Sequence, residues 1–254
     1  MQQQNQAERR AAFVTGASYG IGAATALALG NDGFDVAVSA TRVENLSDVV
    51  AKLTAMERRV VPIAFNLGSQ AGIEQAMATV TAAFGKVDVL VNNAGISSRK
   101  AALEITPEEW DTVMQTNLTG TFFMCQQMGR HLVGSGRAGC IINMASTHGV
   151  VGIAGRLIYG TSKAAIIHMT RMLAIEWAPH NIRVNAIAPG TVETRSRAAF
   201  LADPKTRETM LNRVPLHRFA TSEEIGAAVR YLASPEASYI TGHTLMLDGG
   251  LTAY

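Results

Sequence analysis

At 254 residues, 48% apolar and 17% charged, the chain is long enough to bury a core without disulfide or metal staples and too apolar for disorder. A formal net charge of +2, with no stripe of Lys and Arg, argues against a nucleic-acid partner. Two cysteines in separate apolar stretches, Cys125 and Cys140, read as buried free thiols, the histidines lack metal-ligand spacing, and no run of about 18 apolar residues suggests a membrane span.

Residues 1–9 are polar and Gln-rich, and predict a flexible tail rather than a secretion signal, which implies a reducing, cytoplasmic setting. Residues 10–254 then read as one domain. Ala11–Thr15 is a strand that runs into a glycine turn, and from Gly20 the apolar positions Ile21, Ala24, Leu27 and Ala28 share a helix face. Asp35–Ala40, Val60–Ala64 and Val87–Val91 are further strands, separated by helices near Val43–Met56 and over Gln70–Phe84. Thr106-Pro107-Glu108-Glu109 combines an N-cap, a proline at the first helical position and an acid three residues on, so a helix is expected from there to about Leu132. The strand Cys140–Met144, the helix Leu157–Trp177, the strand Arg183–Ala188, a second capping box at Thr221–Glu224 opening a helix to Ala233, and a last strand His243–Leu247 complete the order. Strands alternating with helices predict an α/β domain with a doubly wound parallel sheet.

Chemistry is concentrated where strands end. Gly16, Ser18, Tyr19, Gly20, Ile21 and Gly22 form a Gly-rich turn between the first strand and first helix, where close backbone approach and free helix N–H groups suit a dinucleotide pyrophosphate. The ending differs from a P-loop, which would carry Lys-Ser/Thr. The second strand ends without a carboxylate to take a ribose 2′-hydroxyl. Ala40 stands there instead, with Thr41 and Arg42 beside it and Ser39 before it, which favours NADP(H) over NAD(H), with Arg42 as the phosphate partner. Tyr159 and Lys163 are one helical turn apart, a spacing at which an ammonium favours the phenolate form of its neighbour. Ser146, at the end of the preceding strand, is positioned to hydrogen-bond a substrate carbonyl.

These residues resemble the short-chain dehydrogenase/reductase family, in its single-domain branch, over nearly the whole chain from Ala11 to Gly250. The resemblance is carried by Thr15-Gly16-x-x-x-Gly20-x-Gly22, by Asn92-Asn93-Ala94-Gly95, by Asn117, by Ser146 thirteen positions before Tyr159, by Lys163, by Pro189-Gly190 with Val192 and Thr194, and by Ile240-Thr241-Gly242 with Asp248-Gly249-Gly250. The sequence is similar both to 3-oxoacyl-[acyl-carrier-protein] reductase-like members and to sugar or polyol dehydrogenase-like ones. The resemblance implies a Rossmann fold and an oxidoreductase that moves a hydride between the nicotinamide cofactor and a small carbonyl or secondary alcohol. Tyr159 would be the general acid/base, Ser146 would orient the oxygen, Lys163 would tune Tyr159 and bind the ribose, and Asn117 would hold a relay water. Asn66 and Leu67 would meet the adenine, Asn93, Ala94 and Gly95 the cofactor's middle, and Pro189, Gly190, Val192 and Thr194 the nicotinamide.

Two departures accompany the resemblance: Asn66 stands where the family often has Asp, and Tyr19 where many NADP-dependent members carry a basic residue. A substrate lid is expected near 195–212, with His148 a candidate substrate contact set against a ring in water, and Ile96–Arg99 lining the same crevice. A basic patch near the entrance would favour an acyl-carrier partner, and the sequence alone does not place Arg99, Lys100 and Arg130 together in one; Trp110 and Trp177 read as packing residues. A homotetramer through the two long helices and the last strand is implied. The competing readings are a non-catalytic dinucleotide-binding regulator, which should have lost one of Asn117, Ser146, Tyr159 or Lys163, an NAD-dependent sugar or polyol dehydrogenase, and an epimerase or dehydratase, whose relatives are usually longer.

Overall fold

A computed structural model describes residues 9–253. The flexible tail expected over residues 1–9 therefore lies almost wholly outside the described residues. Seven parallel strands form one sheet in the order β3-β2-β1-β4-β5-β6-β7: β1 Ala11–Val14, β2 Asp35–Ala40, β3 Val60–Ala64, β4 Val89–Asn92, β5 Gly139–Met144, β6 Ile182–Pro189 and β7 Thr244–Leu247. The helices between them are α1 Gly20–Asn31, α2 Ser47–Ala55, α3 Gln70–Phe84, α4 Pro107–Met114, α5 Gly120–Ser135, α6 Leu157–Trp177, two short helices α7 Ala198–Leu201 and α8 Pro204–Leu211, and α9 Ser222–Ala233. The doubly wound α/β reading holds.

Alternation along the strands divides the core. Ala12, Val14, Val36 and Val38 face α1, α2 and α9, packing with Leu29, Leu53, Ile225 and Val229. Phe13, Ala37, Leu90 and Ile141 face the opposite layer, where Ile73, Val80, Met124 and Met128 come from α3 and α5. Each fully buried aliphatic side chain contributes about 1.5–3 kcal/mol, so the sheet is held from both faces. Both predicted capping boxes form, Thr106 with Glu109 and Thr221 with Glu224. Trp177 packs over Gly129, where a Cβ would come within 2.9 Å of its ring, so its packing role is realised. Cys125 and Cys140 are buried free thiols, and burial pushes the Cys125 thiol up to about 12.

The helix expected from Thr106 to Leu132 departs from expectation in the middle. It is interrupted by a π-helical turn over Gln115–Thr119 before α5 continues. Gly120 explains why the chain tolerates this path: a Cβ there would lie 2.3 Å from the carbonyl oxygen of Leu67, so the helix passes directly against the loop after β3. Likewise the first turn of the helix near Val43–Met56 is a 3-10 turn, Val43–Leu46.

Candidate active site

The strand order reverses between β1 and β4, and the carboxyl ends of the strands open there into a crevice. Its rim is built by backbone. Gly16 has φ +67°, and a Cβ on it would stand 2.8 Å from the Cα of Ala94; a Cβ on Gly22 would stand 2.1 Å from the carbonyl oxygen of Gly16. Only hydrogen fits at either place. Thr15 locks the two loops together: its Oγ1 accepts from the N–H groups of Asn93 (3.0 Å) and Ala94 (3.1 Å). Asn93 returns two bonds from Nδ2 to the carbonyls of Thr15 and Gly16. Its amide is thus spent on pinning the glycine turn.

The crevice has a volume of about 560 Å³. It is lined by Gly16, Ser18, Tyr19, Gly20, Ile21, Gly22, Thr41, Asn66, Leu67, Asn93, Ala94, Gly95, Ser146, Tyr159, Lys163, Pro189, Gly190, Val192 and Thr194, which are the residues named from the sequence. At the start of α1 the N-cap Tyr19 makes no side-chain cap, so the first N–H groups of a twelve-residue helix face the crevice without a side-chain acceptor. A crevice of this volume at the strand ends, glycines packed too closely for any side chain, and a helix start with no side-chain cap together fit a phosphate-bearing dinucleotide.

Three of the expected residues lie elsewhere. Arg42 is exposed and outside the crevice lining, whereas Ser39 and Asn45 are in it. Asn117 is fully buried behind the crevice. Both of its amide hydrogens are committed, to the carbonyl of Ile96 (2.9 Å) and Oγ of Ser162 (3.1 Å), while Oδ1 accepts from Ile96 N–H (2.8 Å). A fully buried amide must satisfy its own hydrogen bonds, and here it does so by propping the loop after Gly95. His148 lines a neighbouring cavity rather than the crevice. Its ring meets that of Tyr159 edge to face at 5.9 Å, and burial, then Arg156, Arg197 and Arg213, hold it down to about 4. The alternative of a ring in water is therefore replaced by a neutral, half-buried imidazole.

Where β5 meets α6 the polar groups converge. Lys163 is buried, donates to the carbonyl of Met144 at 2.6 Å, and stands 5.7 Å from the ring centre of Tyr159. Burial lowers it to about 8, so it remains an ammonium at neutral pH. Ser146 Oγ accepts from His148 N–H at 3.2 Å, which leaves its own hydrogen to donate. Asn66 Oδ1 already accepts from Gly68 N–H at 2.9 Å, so one of its two lone pairs is used.

The sequence reading misses Asn45, Phe65 and Thr116 in the crevice and, in the adjoining cavity, Val151, Ile153, Arg156 and Arg213, whereas Arg99, His148 and Arg197 belong to segments it expected near the substrate. Asn45 lies on the 3-10 turn where the sequence predicts regular helix, and no local signal marks Phe65 as a crevice residue. Of the three basic residues considered for an entrance patch, Arg99 lines the adjoining cavity but Lys100 is bound to Glu109 at 2.8 Å.

A family profile described as enoyl-(acyl carrier protein) reductase matches residues 16–252. The 3-oxoacyl-[acyl-carrier-protein] reductase FabG of Thermotoga maritima is 38% identical over 244 residues, 96% of this chain and 98% of the relative. An NAD-dependent glycerol dehydrogenase of Listeria innocua is 37% identical over 243 residues, 96% and 94% of the two chains. Among solved structures, a variant of actinorhodin polyketide ketoreductase with NADPH superposes with a TM-score of 0.92 at 34% identity, covering 98% of this chain and 99% of that one.

Proposed function

The chain belongs to the short-chain dehydrogenase/reductase family, whose named relatives are dehydrogenases and reductases acting on CH–OH and C=O groups, and from that premise we propose that it transfers a hydride between NADP(H) and a small carbonyl or secondary alcohol, with Tyr159 as the general acid/base. The observation that carries this reading is the convergence of Ser146, Tyr159 and Lys163 on one end of a dinucleotide-sized crevice.

The bound cofactor supplies the hydride acceptor or donor; the chain supplies position and protons. The glycine turn and the start of α1 hold the pyrophosphate, and Pro189, Gly190, Val192 and Thr194 border the nicotinamide end. Ser146 donates its free hydroxyl hydrogen to the substrate oxygen and so fixes it beside Tyr159. The phenol of Tyr159 gives a proton to that oxygen in reduction and takes it back in oxidation. The ammonium of Lys163, 5.7 Å from the centre of the Tyr159 ring, binds the ribose hydroxyls, while Asn117 acts as a positioning residue through Ile96 and Ser162. Residues 195–212, carrying α7 and α8, act as the lid over the substrate.

NADP(H) is preferred because the end of β2 offers hydroxyls and no carboxylate. The ketoreductase solved with NADPH is in line with that, whereas the glycerol dehydrogenase is NAD-dependent. Large apolar side chains exposed on the long helices, Phe122 and Val133 on α5 and Met172 and Ile175 on α6, suit a homotetramer that buries them.

The test is Tyr159→Phe. Turnover of NADPH with a carbonyl panel should fall by about 10²–10⁴-fold while NADPH still binds. Near-normal turnover would overturn the assignment of the proton donor.

A further inference from the structure

Beside the crevice lies a second cavity of about 400 Å³, between the turn after β5, the start of α6 and the lid helices. Its charged lining is one-sided: Arg99, Arg156, Arg197, Lys205 and Arg213 against a single carboxylate, Asp203. That carboxylate is occupied, since its Oδ2 accepts from Thr206 N–H at 2.8 Å and caps α8. Some arginines elsewhere are ion-paired, as Arg207 with Glu193 and Arg218 with Glu224, and others, such as Arg10 and Arg183, donate to backbone carbonyls. Among the described residues, no carboxylate lies in ion-pair range of Arg99, Arg156, Arg197 or Lys205.

Two of these cations are nevertheless held in place, and by neutral partners. Arg156 donates from Nη1 to Oγ of Ser97 (2.7 Å) and to the carbonyl of Ser98 (3.0 Å). Arg99 rests over the ring of Phe200 at 5.2 Å. Neither contact neutralises charge. The arginines are close enough to disfavour one another: burial, then Arg197 and Arg99, lowers Arg156. Clustering like charges in a partly apolar cavity costs free energy in the absence of an anion. A guanidinium fork fixed by neutral acceptors is suited to bind one.

The cofactor does not account for this cluster. On the reading above its adenosine end would lie near Ser39, Thr41 and Asn66, after β2 and β3, whereas the cavity is lined by residues that follow β5 and β6. Only Arg197 of the five lines both spaces. Arg156 stands at the N-cap of α6, the helix that carries Tyr159, and His148, which lines the same cavity as Arg156, meets the Tyr159 ring at 5.9 Å, so the cavity adjoins the phenol.

Resting on the hydride-transfer reading above, we propose that the substrate carries an anionic oxyacid group, a carboxylate or a phosphate ester, seated by Arg156 with Arg99, Arg197 and Arg213 while its carbonyl faces Ser146 and Tyr159. The cavity size restricts it to a short chain, and Val151, Ile153 and Met210 give it an apolar wall.

The experiment compares matched probes with saturating NADPH: straight-chain oxo acids against their methyl esters, and dihydroxyacetone phosphate against dihydroxyacetone. At least one anion should exceed its neutral partner in kcat/KM by about tenfold or more. Arg156→Ala should lower that anion's kcat/KM by about 30-fold or more, mainly through KM, and its neutral partner's by less than about threefold, with Arg156→Lys between them. Whichever anion responds identifies the oxyacid. Neutral probes turned over as well as anions, or an equal loss on both in Arg156→Ala, would overturn the proposal. If no probe oxidises NADPH, the hydride reading fails for these compounds, and calorimetric titration of the NADP⁺-loaded protein decides the anion site by itself. Binding of the anions that Arg156→Ala removes supports it, and no anion binding at about ten millimolar overturns it.

Discussion

The crevice and the lid cavity share a wall yet are built on opposite principles. The crevice is made of backbone at the ends of parallel strands, where glycines and the bonds among Thr15, Asn93 and Gly16 leave almost no freedom of shape. The lid cavity is made of long side chains from α7, α8 and the loop before α6, held by neutral contacts and carrying unbalanced charge. We propose that labour is divided accordingly: the strand ends hold the part of the reaction common to the family, and the lid holds what distinguishes one substrate from another.

If that division is right, the crevice should tolerate the least. A methyl group on Gly22 meets the carbonyl of Gly16 at 2.1 Å and Asn93 Nδ2 at 2.6 Å, both parts of the rim. Gly22→Ala should therefore cost about 1–3 kcal/mol in urea unfolding and weaken NADPH binding, read by fluorescence, by more than about tenfold. Gly134 provides the contrast. It lies in α5, and a Cβ there would have nothing within 4 Å, so Gly134→Ala should stabilise by about 0.5–1 kcal/mol and leave NADPH affinity unchanged. Equal behaviour of the two variants would refute the division.

The charge at the junction of the two regions gives a pH signature. Burial lowers Lys163 from 10.5 to about 8 in the folded chain. Below pH 8 both the folded and unfolded forms carry the proton, and the folded form bears the cost of a buried ammonium. Between about pH 8 and 10.5 the unfolded chain binds more protons than the folded one, so this group makes stability rise with pH through that window. Lys163→Met abolishes the effect. In the nucleotide-free protein, wild type should gain up to about 3 kcal/mol on the variant between pH 7.5 and 10.5. A difference that stays constant with pH would show that Lys163 is not desolvated as the fold implies.

The same contrast explains what was legible in the sequence. The strands, both capping boxes and the glycine turn follow from local rules, because period, cap chemistry and glycine placement act over a few neighbouring residues. Thr15, Gly16 and Gly22 are readable for that reason, whereas Asn93 and the crevice residues at the ends of β3 and β6 are read from the family resemblance alone. The π turn at Gln115–Thr119 was not, since it answers to a contact between Gly120 and Leu67, far apart in the chain. Of the lid cavity, the segment 195–212, His148 and Arg99 are expected from the sequence, but the gathering of its arginines is not. Arg99, Arg156, Arg197 and Arg213 come from separate stretches of chain, and nothing in the spacing of single arginines announces that folding will gather them. Arg42 illustrates the reverse: its position beside β2 pointed to the cofactor, while the fold leaves its side chain exposed outside the crevice lining.

Arg42 is accordingly where the smallest effect is expected. A 2′-phosphate near Ser39, Thr41 and Asn45 would meet an exposed guanidinium screened by solvent and salt, worth about 1 kcal/mol rather than the several of a buried fork. Arg42→Ala should raise KM for NADPH by about three- to tenfold and leave KM for NADH unchanged, with the gap narrowing as salt is raised. Thr41→Asp, which places a carboxylate at the end of β2, should go further and reverse the order of the two cofactors, by like-charge repulsion of the phosphate and by accepting from a ribose hydroxyl. Equal changes in both KM values for Arg42→Ala, combined with an unaltered order in Thr41→Asp, would assign the chain to NAD and detach the end of β2 from cofactor choice.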